Sequence, residues 1–424
     1  MARKKLKKAT QKKKKTQKRN KRSKPSSKKT TRAASKSEFK NFKNRPKKDI
    51  PKSVKDLCLS MLNTLKKRKS PTLQAVKCSL DNSSYNPKVG YLIPKGKKVS
   101  SELNVSSVQK ISRSVFLMDI LLGNLKSGAV NTKRELYYIA KGLVKGDKFY
   151  KPLDFETQNE SDSTIDFICD MFEVYREEMN CFANDRGGQT YSKNLVVTET
   201  LDDGSKAVID LSTLGTTPFQ PKNKPQQFNL KARKGKIDYC LVVESEGTAN
   251  TLVSNGMTKR HNCIVMGAQG VPSNGVRGWC KTIQDQLKIP IYFYGDLDAY
   301  TLQNIFRTLK AGSASSLIRN ADFSAPKVRF LGLLPEDVKN YDLYCYEVSE
   351  KEASEARSLK KAKDVLSNDP FFKDKKNKEL ANILRWLIKE KRRCEQQSVF
   401  STNPKNPRVL EEFLVKKIKK GSYI

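Results

Sequence analysis

Histidine is almost missing from this 424-residue chain: His261 is the only one. A Ser-His-Asp triad or a histidine-rich zinc site is therefore close to excluded. No run of ~20 apolar residues occurs, which excludes a membrane-spanning helix. The charged N-terminus has no apolar stretch behind it, which argues against a secretory signal. Nine cysteines lie between Cys58 and Cys394 without a C-x-x-C pair. That is the pattern of reduced intracellular thiols, not of a disulfide scaffold. Neither G-x-x-x-x-G-K-[ST] nor G-x-G-x-x-G is present, so the chain is expected to bind no nucleotide by itself. Acids are also scarce: 44 Asp and Glu face 84 Lys and Arg, a formal charge of +40. Such an excess calls for a polyanionic partner.

The charge is uneven. Residues 1–50 hold 23 Lys or Arg against Glu38 and Asp49, a net of +21, and the other 374 residues carry +19. With almost no apolar periodicity, residues 1–50 are expected to be a disordered basic tail. Such a tail neutralises phosphates in a salt-sensitive way, and would serve as a nuclear address in a eukaryotic cell. A purely solubilising role is the plain alternative.

Beyond the tail the pattern becomes globular. Leu57, Met61, Leu62 and Leu65 predict a short helix, and residues 66–100 read as loop. Ile111, Val115, Met118, Leu122 and Leu125 predict a helix stopped at Gly128. A second helix starts near Asn131, and a third holds Ile165, Ile168, Cys169 and Phe172. Strand-like pieces at Leu195–Thr198 and Ala207–Asp210 flank Asp202-Asp203-Gly204, a hairpin signal. Three helices and a hairpin outline a winged helix over residues 51–213, a common DNA-docking fold. Residues 214–235 are polar and read as a linker. From 236 to 424 the rhythm alternates, with strands at Tyr239–Val243, Cys263–Met266, Ile289–Tyr294 and Val328–Leu331. Helical stripes lie between them, and a helix with Leu380, Ile383, Leu384 and Leu387 follows. The expectation is a mostly parallel α/β sheet.

Two constellations carry chemistry. Tyr239–Val243 runs into Glu244, and Ile289–Tyr294 runs into Asp296-Leu297-Asp298. Ligands of parallel sheets gather outside the C-terminal strand ends, so three hard oxygen donors there suit Mg²⁺. The plainer alternative is an Asp298 that merely caps a helix. The other constellation is Thr132-Lys133-Arg134-Glu135-Leu136-Tyr137-Tyr138. Arg134 and Tyr138 are four apart on one helix face, and a phenol needs a neighbouring cation to ionise at neutral pH. One packed and one surface tyrosine is the ordinary alternative.

Taken together, these residues resemble the A subunits of topoisomerase VI and the related meiotic break-forming transesterases. Thr132 to Tyr138 is similar to the family's T-[KR]-R-[DE]-[IL]-[YF]-Y. Gln158, Ser161, Asp162, Ile165 and Asp166 resemble its next stretch, and Arg176-Glu177 fits the helix end. Val242-Val243-Glu244 resembles V-[VI]-E-K, with Ser245 in place of Lys. Gly270, Pro272 and Arg277 match the family's G-x-G-x-P-x-x-x-x-R stretch, with Ala268 near the first glycine, and Gly275-Val276-Arg277 is the archaeal-like form. Asp296 to Thr301 resembles D-x-D-P-x-G, with Ala299 and Thr301 replacing Pro and Gly. Lys310-Ala311-Gly312-Ser313, Phe330 to Leu333 with Asp337, and Lys391 to Gln396 with Glu395 follow in order.

The resemblance implies a winged-helix domain followed by a Toprim domain. It makes Tyr138 the nucleophile with Arg134 beside it. Glu244, Asp296 and Asp298 become ligands of Mg²⁺, and Lys133, Arg277 and Lys310 contacts to double-stranded DNA. It also implies a homodimer joined by a GHKL-type B subunit in an A2B2 assembly, with ATP handled only by B. The activity would be transient double-strand cleavage for duplex passage and resealing. A break-former without resealing and an inactive basic DNA-binding scaffold are the alternatives. The location would be intracellular and DNA-associated: nucleoid or cytoplasm in a prokaryote, nucleus in a eukaryote with the tail as import signal.

Overall fold

The first described helix, α1 (Ile50–Lys66), is capped by the Asp49 carboxylate, which accepts from Lys52 N, and has Pro51 in its first turn. This computed structural model describes residues 48–146, 148–182, 187–201, 203–221, 227–349 and 353–424. Most of the basic tail, Asp202 of the hairpin turn and residues 222–226 of the expected linker therefore lie outside the described residues. All described residues belong to one compact unit. On α1 the buried residues are Ile50 and Val54, whereas Leu62 and Leu65 are exposed. The helix forms as expected, but it buries its first turns rather than its leucine-rich end.

Residues 66–100 are not simply loop. Strands β1 (Thr72–Val76), β2 (Ser83–Asn86), β3 (Tyr91–Pro94) and β4 (Lys98–Glu102) form two antiparallel pairs, β1 with β4 and β2 with β3. Only Leu73 and Ala75 of β1 are buried, so alternation is too short to stand out from the polar residues around it.

Helix α2 (Val108–Ser127) ends at Gly128, whose φ of 74° makes the left-handed cap. After β5 (Asn131–Thr132) come α3 (Lys133–Gly146) and α4 (Gln158–Phe172). Leu117, Leu121, Leu136, Ala140, Ile165 and Ile168 bury against one another in a helical core, joined by Ile50, Val54 and Cys181. The pair β5 and β6 (Cys181–Phe182) closes that part.

The second core belongs to a five-stranded sheet. Its strands are β7 (Gln189–Ser192), β11 (Tyr239–Val243), β12 (Cys263–Gly267), β13 (Ile291–Tyr294) and β14 (Val328–Gly332), in the order β14-β13-β11-β12-β7. Only β7 runs antiparallel. The hairpin β8 (Leu195–Thr200) and β9 (Lys206–Asp210) forms as expected. However, β10 (Phe228–Ala232), inside the expected linker, pairs with β8. Leu195, Val197, Phe228 and Leu230 pack into the sheet's core, not into that of the three helices. Helices α5 (Glu246–Ser254), α6 (Met257–Arg260) and α7 (Asn274–Leu287) link the parallel strands.

From β11 the chain moves to one neighbour, β12, and then returns to the other, β13. The switch point of the sheet therefore lies between β11 and β13, where such sheets hold ligands. Past β13 the chain forms a π-helical stretch, Thr301–Phe306, and then α8 (Arg307–Ala311). Among the described residues no helix is long and apolar enough to cross a membrane.

Candidate active site

The tyrosine helix begins with a reciprocal cap. Thr132 Oγ1 accepts from Glu135 N at 3.1 Å, and Glu135 Oε2 accepts from Thr132 N at 2.6 Å. The T-x-x-E of the motif is thus a capping box that fixes where α3 starts. Leu136, Ala140 and Val144 then turn inward, which leaves Tyr138 57 % exposed. Tyr137 is held: its hydroxyl donates to Glu156 O at 3.5 Å and the Lys141 amine lies 5.7 Å from its ring. The two tyrosine rings meet edge to face at 5.2 Å. Among the described residues the Tyr138 hydroxyl takes part in no hydrogen bond. The Arg134 guanidinium stands 5.9 Å from the centre of its ring.

Lys133, expected to contact DNA, is paired within the fold. Its amine lies 3.0 Å from Asp166, and its side chain is only 15 % exposed. Asp166 and Asp170 on α4 also face Arg319, at 3.8 and 3.7 Å. Burial pushes the Asp170 carboxyl up to about 6. Tyr175 donates its hydroxyl to Asp322 nearby. These contacts join the helical core to the segment between α8 and β14.

The acids sit at the switch point. Parallel pairing sets Val243 beside Tyr294, so Glu244 and Asp296 leave the same edge of adjacent strands. Glu244 Oε2 accepts from Asp296 N at 3.2 Å and from the Thr301 hydroxyl at 2.9 Å. Asp296 Oδ1 accepts from Gln396 N at 2.8 Å. Burial, and then the charge of Asp296, push the Glu244 carboxyl up to about 8. Burial also raises Asp296, to about 6. Asp298 Oδ1 accepts from Thr301 N at 2.6 Å, so the helix-capping alternative describes part of what it does.

The donor set fits a divalent cation. Two half-buried carboxylates crowd each other, and Gln396 Oε1 is buried without a hydrogen-bond partner. Burial raises both acids first and neighbouring carboxylates raise them further, and a cation bound there would offset both. Among the described residues, though, no three His, Cys, Asp or Glu side chains already close into a metal cluster.

Arg277 and Lys310 are not surface cations. Arg277 is 3 % exposed, and its Nε donates to Phe323 O at 2.7 Å. The Lys310 amine donates to Pro326 O and Val328 O at 2.9 and 2.6 Å, and burial lowers it to about 8. Both cations, expected to contact DNA, are engaged by backbone carbonyls within the fold. Ser245, in the position of the motif lysine, caps α5 through Thr248 N. Two contributors escaped the sequence: Thr301, which appeared only as a replacement for the motif glycine, and Gln396. The Gln396 backbone binds Asp296, and its carbonyl accepts from the buried Tyr294 hydroxyl at 2.7 Å. Reciprocal bonds between Leu297 and Cys394 pin that C-terminal segment to the D-x-D edge.

Known families match both parts of the chain. The Toprim domain shared by topoisomerase 6 A subunits and Spo11 matches residues 239–418, and the type IIB DNA topoisomerase family matches 109–181. The A subunit of the type 2 DNA topoisomerase 6 of Methanocaldococcus jannaschii is 26 % identical over 378 residues, 89 % of this chain and 96 % of the relative. Its counterpart from Pyrococcus horikoshii is 28 % identical over 386 residues, 88 % and 95 %. The one from Aeropyrum pernix is 25 % identical over 342 residues, 78 % and 85 %. With both matches in order on one chain, and relatives covered almost end to end, the protein belongs to the family of topoisomerase 6 A subunits and Spo11, within the type IIB DNA topoisomerases.

Proposed function

We propose that this chain is the DNA-cleaving A subunit of an ATP-dependent type IIB topoisomerase. The observation that carries the reading is one chain holding an exposed tyrosine beside an arginine and a crowded acid pair at the switch point of a parallel sheet. The Tyr138 oxygen attacks a backbone phosphorus. The new P–O bond makes a 5′-phosphotyrosyl link, and the bond to O3′ breaks, with O3′ taking up a proton. One phosphodiester is exchanged for another, so the reverse attack reseals the strand without outside energy. Arg134 offers positive charge to the ionising phenol and the phosphate. Glu244, Asp296 and Asp298 would hold Mg²⁺, which supplies charge stabilisation at the scissile phosphate. Thr301 and Gln396 fix the orientation of the first two acids.

The helical core between Ile50 and Cys181 supports a winged-helix part that ends near Cys181, and the five-stranded sheet supports a Toprim part that also takes in β7 and the β8–β9 hairpin, ahead of the expected boundary at 236. A homodimer grips double-stranded DNA, a GHKL-type B subunit completes an A2B2 enzyme and handles ATP, and the basic tail adds salt-sensitive attraction to the duplex.

The test is cleavage of supercoiled DNA with Mg²⁺, ATP and a B subunit. Wild type is expected to relax it and to give protein–DNA adducts on denaturation. Tyr138→Phe should lower adduct formation at least about a thousandfold, and full activity in that variant would sink the assignment. Adducts that form but never reseal would assign a break-former instead. Duplex binding without any adduct would assign a scaffold.

A further inference from the structure

We propose that Thr301 is a positioning residue for Glu244, its hydroxyl fixing one carboxylate oxygen so that the other is turned to the cation. The inference rests on the reading that Glu244, Asp296 and Asp298 hold a divalent metal. Thr301 is 1 % exposed. It touches two of the three acids, through its N–H to Asp298 Oδ1 at 2.6 Å and its hydroxyl to Glu244 Oε2 at 2.9 Å. The two bonds differ in kind. The backbone bond survives any residue at 301 that donates an N–H, including the glycine of the family pattern. The hydroxyl bond requires Thr or Ser.

Glu244 Oε2 already accepts from Asp296 N at 3.2 Å. With the Thr301 hydroxyl added, that oxygen's two lone-pair sites are used. Among the described residues Oε1 accepts no hydrogen bond. A cation arriving at this edge therefore meets Glu244 through one oxygen, on a side chain whose rotation is stopped by two donors. Gly295 makes the arrangement fit: a Cβ there would overlap Glu244 Oε2 and press on the Thr301 methyl. Thr301 also opens the π-helical stretch Thr301–Phe306, a wider turn that often marks functional sites. The hydroxyl thus sits directly outside the metal's own ligands, the place from which hydrogen bonds tune affinity.

The experiment is Mg²⁺ binding measured calorimetrically on the full chain without DNA, beside a thermal melt of each variant. Thr301→Val keeps the shape and removes the donor, and its Kd for Mg²⁺ should rise about tenfold. Thr301→Ser keeps the donor and should stay within about twofold of wild type. An unchanged Kd in Thr301→Val overturns the role of Thr301, as does equal weakening in Val and Ser variants. Glu244→Gln separates the two levels. If it binds Mg²⁺ like wild type, the metal reading itself falls. If it loses binding while Thr301→Val does not, only the positioning role falls.

Discussion

The two halves of the chemistry are built in opposite ways. On α3 the tyrosine is held outward, with a capping box behind it and an arginine at 5.9 Å. Among the described residues nothing hydrogen-bonds its hydroxyl. At the sheet edge the acids are drawn inward, crowded and fixed by backbone and hydroxyl donors. One region presents a group, and the other stores electrostatic tension. The difference shows two kinds of reactive group: an outward hydroxyl that accepts and donates no hydrogen bond among the described residues, and carboxylates raised by burial and neighbouring charge. It also separates stability from function, because the exposed tyrosine contributes little to folding and the crowded acids oppose it.

The sharpest break comes from removing one group in each region. Tyr138→Phe should abolish adducts yet shift stability by less than about 0.5 kcal/mol, since an exposed hydroxyl without a partner is lost. Glu244→Gln should abolish Mg²⁺ binding and stabilise the cation-free protein at alkaline pH. The sign follows from protons bound. Glu244 rises from its ordinary 4.5 to about 8, so between those values the native state holds more protons than the unfolded one. Stability without metal therefore falls as pH rises through that window, and glutamine removes the slope. Mg²⁺ competes with the same proton, so wild-type affinity should rise about tenfold per pH unit below pH 8. Melts and Mg²⁺ titrations between pH 5 and pH 9 check both, and a flat wild-type profile would refute the crowded-acid picture.

What the sequence revealed follows the same division. Strands β11 to β14 were legible because buried parallel strands are continuous apolar runs. The tyrosine helix was legible because a capping box and a 3.6-residue stripe are local signals. Strands β1 to β4 were not, since their burial comes from pairs such as Leu73 and Ser101 brought together from 28 positions apart. Partnership over long separations was equally hidden. Thr301 finds Glu244 across 57 positions and Arg277 finds Asn320 across 43. A basic residue shows its charge in sequence, but not whether a carbonyl has already claimed it.

Arg319 tests how the halves are joined, with a moderate effect. Its side chain is 7 % exposed and faces Asp166 and Asp170 at nearly 4 Å. Arg319→Leu leaves Asp170 without its cation and should cost about 1–3 kcal/mol. Asp170 already titrates near 6 rather than 3.8, so native protons exceed unfolded ones in that window and stability falls as pH rises through it. Without Arg319 the carboxyl rises further and the decline should extend above pH 6. Asp170→Asn in the same chain should recover part of the loss, whereas full additivity of the two changes would dissolve the link.

The smallest effect on DNA is expected at Lys310, and that makes it diagnostic. A lysine that contacts phosphate lowers the salt dependence of binding by about one unit when removed. Here the amine bonds two carbonyls inside the fold. Lys310→Met should leave the salt slope unchanged and instead cost about 1–2 kcal/mol, because the carbonyls of Pro326 and Val328 lose their donor. Burial lowers Lys310 from 10.5 to about 8, so between those values the unfolded chain binds the extra proton and wild-type stability gains with rising pH. Methionine removes that gain. A salt slope reduced by one unit in Lys310→Met, with the melt unmoved, would turn the lysine outward to DNA, and the crowded half would then present charge as the tyrosine half does.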